Sequence, residues 1–165
     1  FGFSVAMDAA GQIVAAANNG NNATSYVWQF GPTRPGAFNV FGSGCVGTLG
    51  RPTLGWAGAP AIGSTVALSA RHLVSTSVGA FMVGTGETSI GLAFMSVPEC
   101  VLYVNSITTI PLPTGTQGGV SLPVPIPAEA ALIGGQLVVQ WLHRDASANT
   151  LGLVFSDGGR LVVGG

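Results

Sequence analysis

The sequence predicts an all-β protein: a β-sandwich of jelly-roll or immunoglobulin-like type with an N-terminal β-strand segment. Three observations predict it. Short apolar or alternating segments recur along the 165 residues and are cut by Gly, Pro, Asn and Ser, the pattern of strands joined by turns. Helical periodicity is almost absent: the one arguable stretch, 127–133, is short and runs straight into Gly134-Gly135. Finally, 26 glycines and 10 prolines accompany a hydrophobic fraction of 47%, which is enough to bury a core and too apolar for a disordered chain.

Taken in order, strands are expected at Ser4–Ala6, Ile13–Ala17, Tyr26–Phe30, Thr65–Ser69, Ala80–Val83, Gly91–Met95 and Val101–Val104. Further strands are expected at Gly119–Leu122, Leu137–Leu142, Leu151–Phe155 and Arg160–Val163. Ser64–Ser69 alternates, with Val66 and Leu68 on one face. Leu137–Leu142 is nearly continuous in apolar character, as a central strand buried on both sides should be. Asp157-Gly158-Gly159 reads as a tight turn joining the last two strands. In Leu122–Pro127 every second residue is proline, so the segment belongs at a sheet edge or in an extended connection. Asn18–Asn22 reads as a loop and Gly31–Gly36 as the start of a linker. The expected organisation is therefore a strand segment over 1–31, a linker over 32–43 and a sandwich over 44–165.

The charge content excludes several functions. There are five basic residues, none of them lysine, six acidic ones, and a net charge of −1. Nucleic acid needs a basic stripe to displace counterions, and a charged membrane surface needs a basic cluster; neither exists here. No apolar run has the length needed to insert across a bilayer as a helix. If the protein is exported, its leader has already been removed. So little charge also leaves little repulsion between copies, which favours a homo-oligomer or homopolymer.

Cys45 and Cys100 are the only cysteines. An even count in a charge-poor chain of secreted character favours a disulfide, with two buried free thiols as the alternative.

Two family resemblances follow from particular residues. Phe1–Ala6, Gly11–Ala17 and Ser25–Phe30 together resemble one FG-GAP repeat, the blade unit of integrin-type β-propellers. A single blade cannot close a propeller, and Asp8-Ala9-Ala10-Gly11 lacks the acidic run of the calcium-binding form, so no metal is carried over. A longer set runs Gly44-Cys45, Pro52-Thr53-Leu54-Gly55, Cys100, Pro125-Ile126-Pro127, Gln140-Trp141 and Gly152-Leu153-Val154-Phe155-Ser156. It resembles a C-terminal β-rich domain of large secreted planctomycete-like bacterial proteins. That resemblance implies the Cys45–Cys100 pairing and brings no activity with it.

Candidate chemistry is sparse. His143-Arg144-Asp145 is the densest polar cluster and reads as a solvated turn. His72 is expected at the end of a strand and exposed. Gly84-Thr85-Gly86 reads as a turn, because no helix follows to supply the amides of a phosphate loop. No Gly-x-Ser-x-Gly elbow is present, and Asp145–Asn149 offers a calcium ion a single carboxylate. Asn22-Ala23-Thr24 is a glycosylation sequon. Trp141 belongs to the core, whereas Trp56, between Gly55 and Gly58, is the aromatic available to stack on a surface glycan.

These observations point to a non-enzymatic extracellular or cell-surface structural protein without cofactor. Its expected assembly interface is Val5, Ile13, Val14, Val27, Trp28 and Phe30, supplied by the N-terminal strands to a neighbouring copy in a filament or surface layer. The alternatives are a carbohydrate- or surface-binding module, and a C-terminal attachment domain of a larger secreted propeller protein.

Overall fold

The computed structural model describes the backbone at 2–7, 13–18 and 25–30, and the full chain at 35–97 and 99–165; in the first three spans only Val5 and Ala6 have described side chains. The expected loop at 18–22, its sequon, the Asp8–Gly11 loop and the start of the linker lie largely outside the described residues. The chain forms two compact units, 1–34 and 35–165.

In the first unit β1 (Gly2–Met7), β2 (Ile13–Asn18) and β3 (Ser25–Phe30) form an antiparallel sheet in that order. Val5, Ala15 and Trp28 are successive register partners across it.

The second unit is a β-sandwich of two antiparallel sheets. One holds five strands in the order β4 (Ala37–Phe41), β11 (Leu153–Val162), β10 (Gln136–Arg144), β7 (Val78–Gly91) and β8 (Val101–Pro113). The other holds β5 (Thr53–Ala57), β6 (Thr65–Arg71) and β9 (Val120–Pro125). Alternation sets their facing sides: Val66, Leu68 and Ala70 of β6 point inward to meet Val139 and Trp141 of β10, Phe81 of β7 and Leu161 of β11. Phe81 and Trp141 meet edge to face, with ring centroids 4.9 Å apart.

Several elements differ from expectation. Ala37–Phe41, assigned to the linker, is an edge strand. Phe38 is its core anchor, in register with Leu161. Asp157-Gly158-Gly159 is no turn but the middle of β11, so the two short strands expected around it are one. The glycines are there because aromatic rings of β4 lie against them. A Cβ at Gly158 would come within 2.6 Å of Phe41, and one at Gly159 would collide with Phe38. β5 was not anticipated, and only Leu54 of its five residues is buried. Met95 ends a 3₁₀ turn, Ala93–Met95, rather than a strand, and Ala130–Leu132 is another such turn. β9 is the proline-rich edge expected.

Gly84–Gly86, read as a turn, is where the long β7–β8 ribbon bulges. A Cβ at Gly84 would collide with the Asn105 carbonyl, so only glycine permits that approach. Beyond the bulge the ribbon crosses the outer face of its own sheet. There Leu92, Val97 and Cys100 pack with Cys45, Val154 and Phe155 into a second, smaller apolar cluster.

Candidate functional site

The outer cluster is fastened in two ways. Cys45 and Cys100 are disulfide-bonded, with Cα atoms 4.6 Å apart and a sequence separation of 55. Cys45 is also in the backbone ladder, its N–H donating to the Phe155 carbonyl at 3.0 Å. The second fastening is Gln140, fully buried, whose carboxamide spans three backbone groups. It accepts from Tyr103 N–H at 2.9 Å and donates to the Val101 and Ser156 carbonyls, both at 2.8 Å. Next to it a bulge sets Ser156 and Asp157 opposite Trp141, and the Ser156 hydroxyl accepts the Trp141 N–H at 2.9 Å. The Gln-Trp and Phe-Ser pairs singled out in the sequence thus tie the ribbon to the sheet.

Asp157 joins the two sheets. Its carboxylate accepts the Leu54 N–H at 2.8 Å, and burial pushes its carboxyl above the ordinary value against the pull of that bond. On the surface, Arg160 pairs with Glu87 and lies over the Phe41 ring, 5.7 Å from its centroid. The Arg160 hydrogen bond holds the Glu87 carboxyl below its ordinary value. Arg51 pairs with Glu99 at 3.2 Å.

Trp56 is 47% exposed, as its flanking glycines suggested, but it is not a free platform. By register it faces the same side as Leu68, and its indole stacks on Phe38 at 4.9 Å between centroids. One ring face is therefore already taken. Trp56 is among the residues that line a shallow depression of about 620 Å³ whose polar residues include Ser69, Arg71, Gln117 and Ser121.

His143 and Asp145 depart most from expectation: this is no solvated turn. His143 is 1% exposed and Asp145 is 3% exposed, while Arg144 between them faces solvent. Asp145 anchors the turn after Cys45, accepting the Thr48 N–H at 2.7 Å and the Thr48 hydroxyl at 2.6 Å. Burial pushes its carboxyl up, but the Thr48 bonds, a Ser147 amide and His143 together hold it below its ordinary value. Neither ring nitrogen of His143 has a hydrogen-bond partner. Burial holds its pKa below the ordinary histidine value, with the Asp145 charge working the other way. His72 is exposed, as expected. Among the described residues no group of three His, Cys, Asp or Glu side chains is placed to hold a metal ion. Within those residues, too, no helix is long and apolar enough to cross a membrane.

No family model, curated protein or solved structure matches the chain.

Of the six expected interface residues, only Val5 has a described side chain, and it is 68% exposed. The side chains of Ile13, Val14, Val27, Trp28 and Phe30 lie outside the described residues. Backbone register still sorts the positions. Those of Val5, Ile13, Trp28 and Phe30 share one face of the sheet with positions 3, 7 and 26, and those of Val14 and Val27 share the other.

Proposed function

We propose that the chain is a non-enzymatic extracellular structural module that assembles with copies of itself through its N-terminal strands, in a filament or surface layer. The observation that carries this reading is the three-stranded sheet of residues 2–30. A single layer has no interior of its own, so its apolar face requires a second layer, and Val5 on that face is open to solvent. Charge offers no obstacle: the only charged side chain in residues 1–30 is Asp8.

The sandwich edges narrow where a strand could be added. β8 is bulged at Ile107 and carries Pro111 and Pro113, and β9 carries Pro123 and Pro125. On β5 the Leu54 N–H is spent on Asp157. β4 has no proline, and among the described residues no strand pairs with its far side. It is the edge that an N-terminal strand of a second copy would extend. Such a contact is head-to-tail and propagates unless the rotation closes a ring.

The disulfide supports an oxidising, extracytoplasmic setting. The burial of the His143 ring supports a non-catalytic reading there, since a substrate has no room to lie against it. A second reading, a glycan- or surface-binding module, rests on the partial exposure of Trp56 and on the polar depression that this residue helps to line. A third, the attachment domain of a larger propeller protein, rests on the FG-GAP resemblance alone.

Sedimentation velocity and electron microscopy of the full chain and of a chain lacking residues 1–34 test the proposal. The full chain should form polymers, and the truncated one should be a folded monomer. A full chain that is monomeric at high concentration, or a truncated one that still polymerises, overturns it; monomers that retain glycans would favour the second reading.

A further inference from the structure

His143 is a large polar side chain with nothing to bond to. Its register partners, Gly79 on β7 and Val154 on β11, are uncharged, as are the neighbours Val78, Ala80, Leu153 and Phe155. Thr48 on the turn after Cys45 is uncharged too. Arg144 on its own strand and His72 on the turn after β6 are both exposed. The remaining charge acting on the ring is that of Asp145. Two residues apart on extended chain, the two side chains leave the same face about 6–7 Å from one another.

At neutral pH the ring is uncharged and its burial is tolerable. A second proton would place a full positive charge in an apolar site, which is costly unless an anion pairs with it. The one anion at hand is already engaged, both oxygens held by Thr48.

We propose that His143 is an acid-sensitive latch: taking up a second proton, its ring draws Asp145 away from Thr48 and frees the turn of residues 47–50 beside the disulfide. The sign follows from the buried ring binding protons less readily than it does in an unfolded chain. The closed turn is fully stabilised above the unfolded-chain value of about 6.5 and loosens as pH falls through and below it. The turn has few other ties: besides the Thr48 bonds, it is closed by the Gly47–Gly50 backbone pair. Its opening need not unfold the sandwich.

The test is amide hydrogen exchange on the full chain from pH 7.5 to 5, corrected for the intrinsic pH dependence, alongside an NMR titration of the His143 ring. Protection of Thr48 and Gly50 should begin to fall near pH 6.5 and drop by up to about tenfold for each further pH unit, while Val139 and Trp141 keep theirs. H143F should hold the turn closed throughout, and H143Q serves if that variant does not fold. Unchanged protection of the turn, persistence of the response in either variant, or a ring that does not titrate in the window where the turn opens would each overturn the latch. Should neither variant fold, coincidence of the wild-type ring titration with turn opening supports it and non-coincidence refutes it.

Discussion

The two faces of the five-stranded sheet are covered in different ways. The inner face meets a separate sheet, and large side chains such as Trp141 and Phe81 are wholly buried there. The outer face is covered by the sheet's own ribbon, doubled back at Gly84–Gly86, and its cluster of six residues includes two half-cystines. Burial of a few side chains offsets only part of the entropy lost in ordering a long ribbon. The difference shows what a thin layer needs: a covalent link and a fully bonded buried amide where the thick core relies on packing.

That contrast can be broken deliberately. Trp141→Ala should have the largest effect, about 3–5 kcal/mol in chemical denaturation, because its cavity opens at the centre of the inner core. Both layers should melt together in that variant; survival of the outer cluster would mean the layers are independent.

Replacing Cys45 and Cys100 with alanine should cost roughly 2–4 kcal/mol. Amides at 92–100 should lose protection from hydrogen exchange well before those of β10. Equal loss in both regions would show that the staple supports the whole sandwich.

The smallest effect, about 1–3 kcal/mol, is expected for Gln140→Leu, which keeps the bulk but strands the Tyr103 N–H and two carbonyls. Exchange at Tyr103 reports it. A variant as stable as the parent would show that packing alone holds the ribbon down.

Much of the sandwich could be read from local pattern. Thr65–Ser69 and Leu137–Leu142 announced themselves by alternation and by continuous apolarity, and the prolines at 123 and 125 marked an edge. What could not be read depends on distant partners. The glycines at 158 and 159 look like a turn until two phenylalanines more than a hundred residues earlier in the chain are known to lie against them. Phe38 and Phe41 look like linker for the same reason. His143 and Asp145 are both polar, and only the closing turn at Thr48 makes their site dry. Gln140 gave no local signal that its amide would bridge a ribbon folded back from residues 101–103. For the N-terminal unit, strand register is described and almost all side chains lie outside the described residues, so the assembly proposed for it rests on the pattern of positions.

The sequence separation of 55 between the half-cystines has a further consequence, for how the chain meets a protease. The span contains β5, β6 and β7, strands of both sheets, together with the exposed Arg51 and Arg71. A trypsin-like protease cutting after Arg71 (Pro52 blocks the bond after Arg51) would break the chain without separating it, because the two pieces stay joined through sulfur. A module built this way absorbs a nick at its surface and keeps its mass, provided that its surroundings stay oxidising.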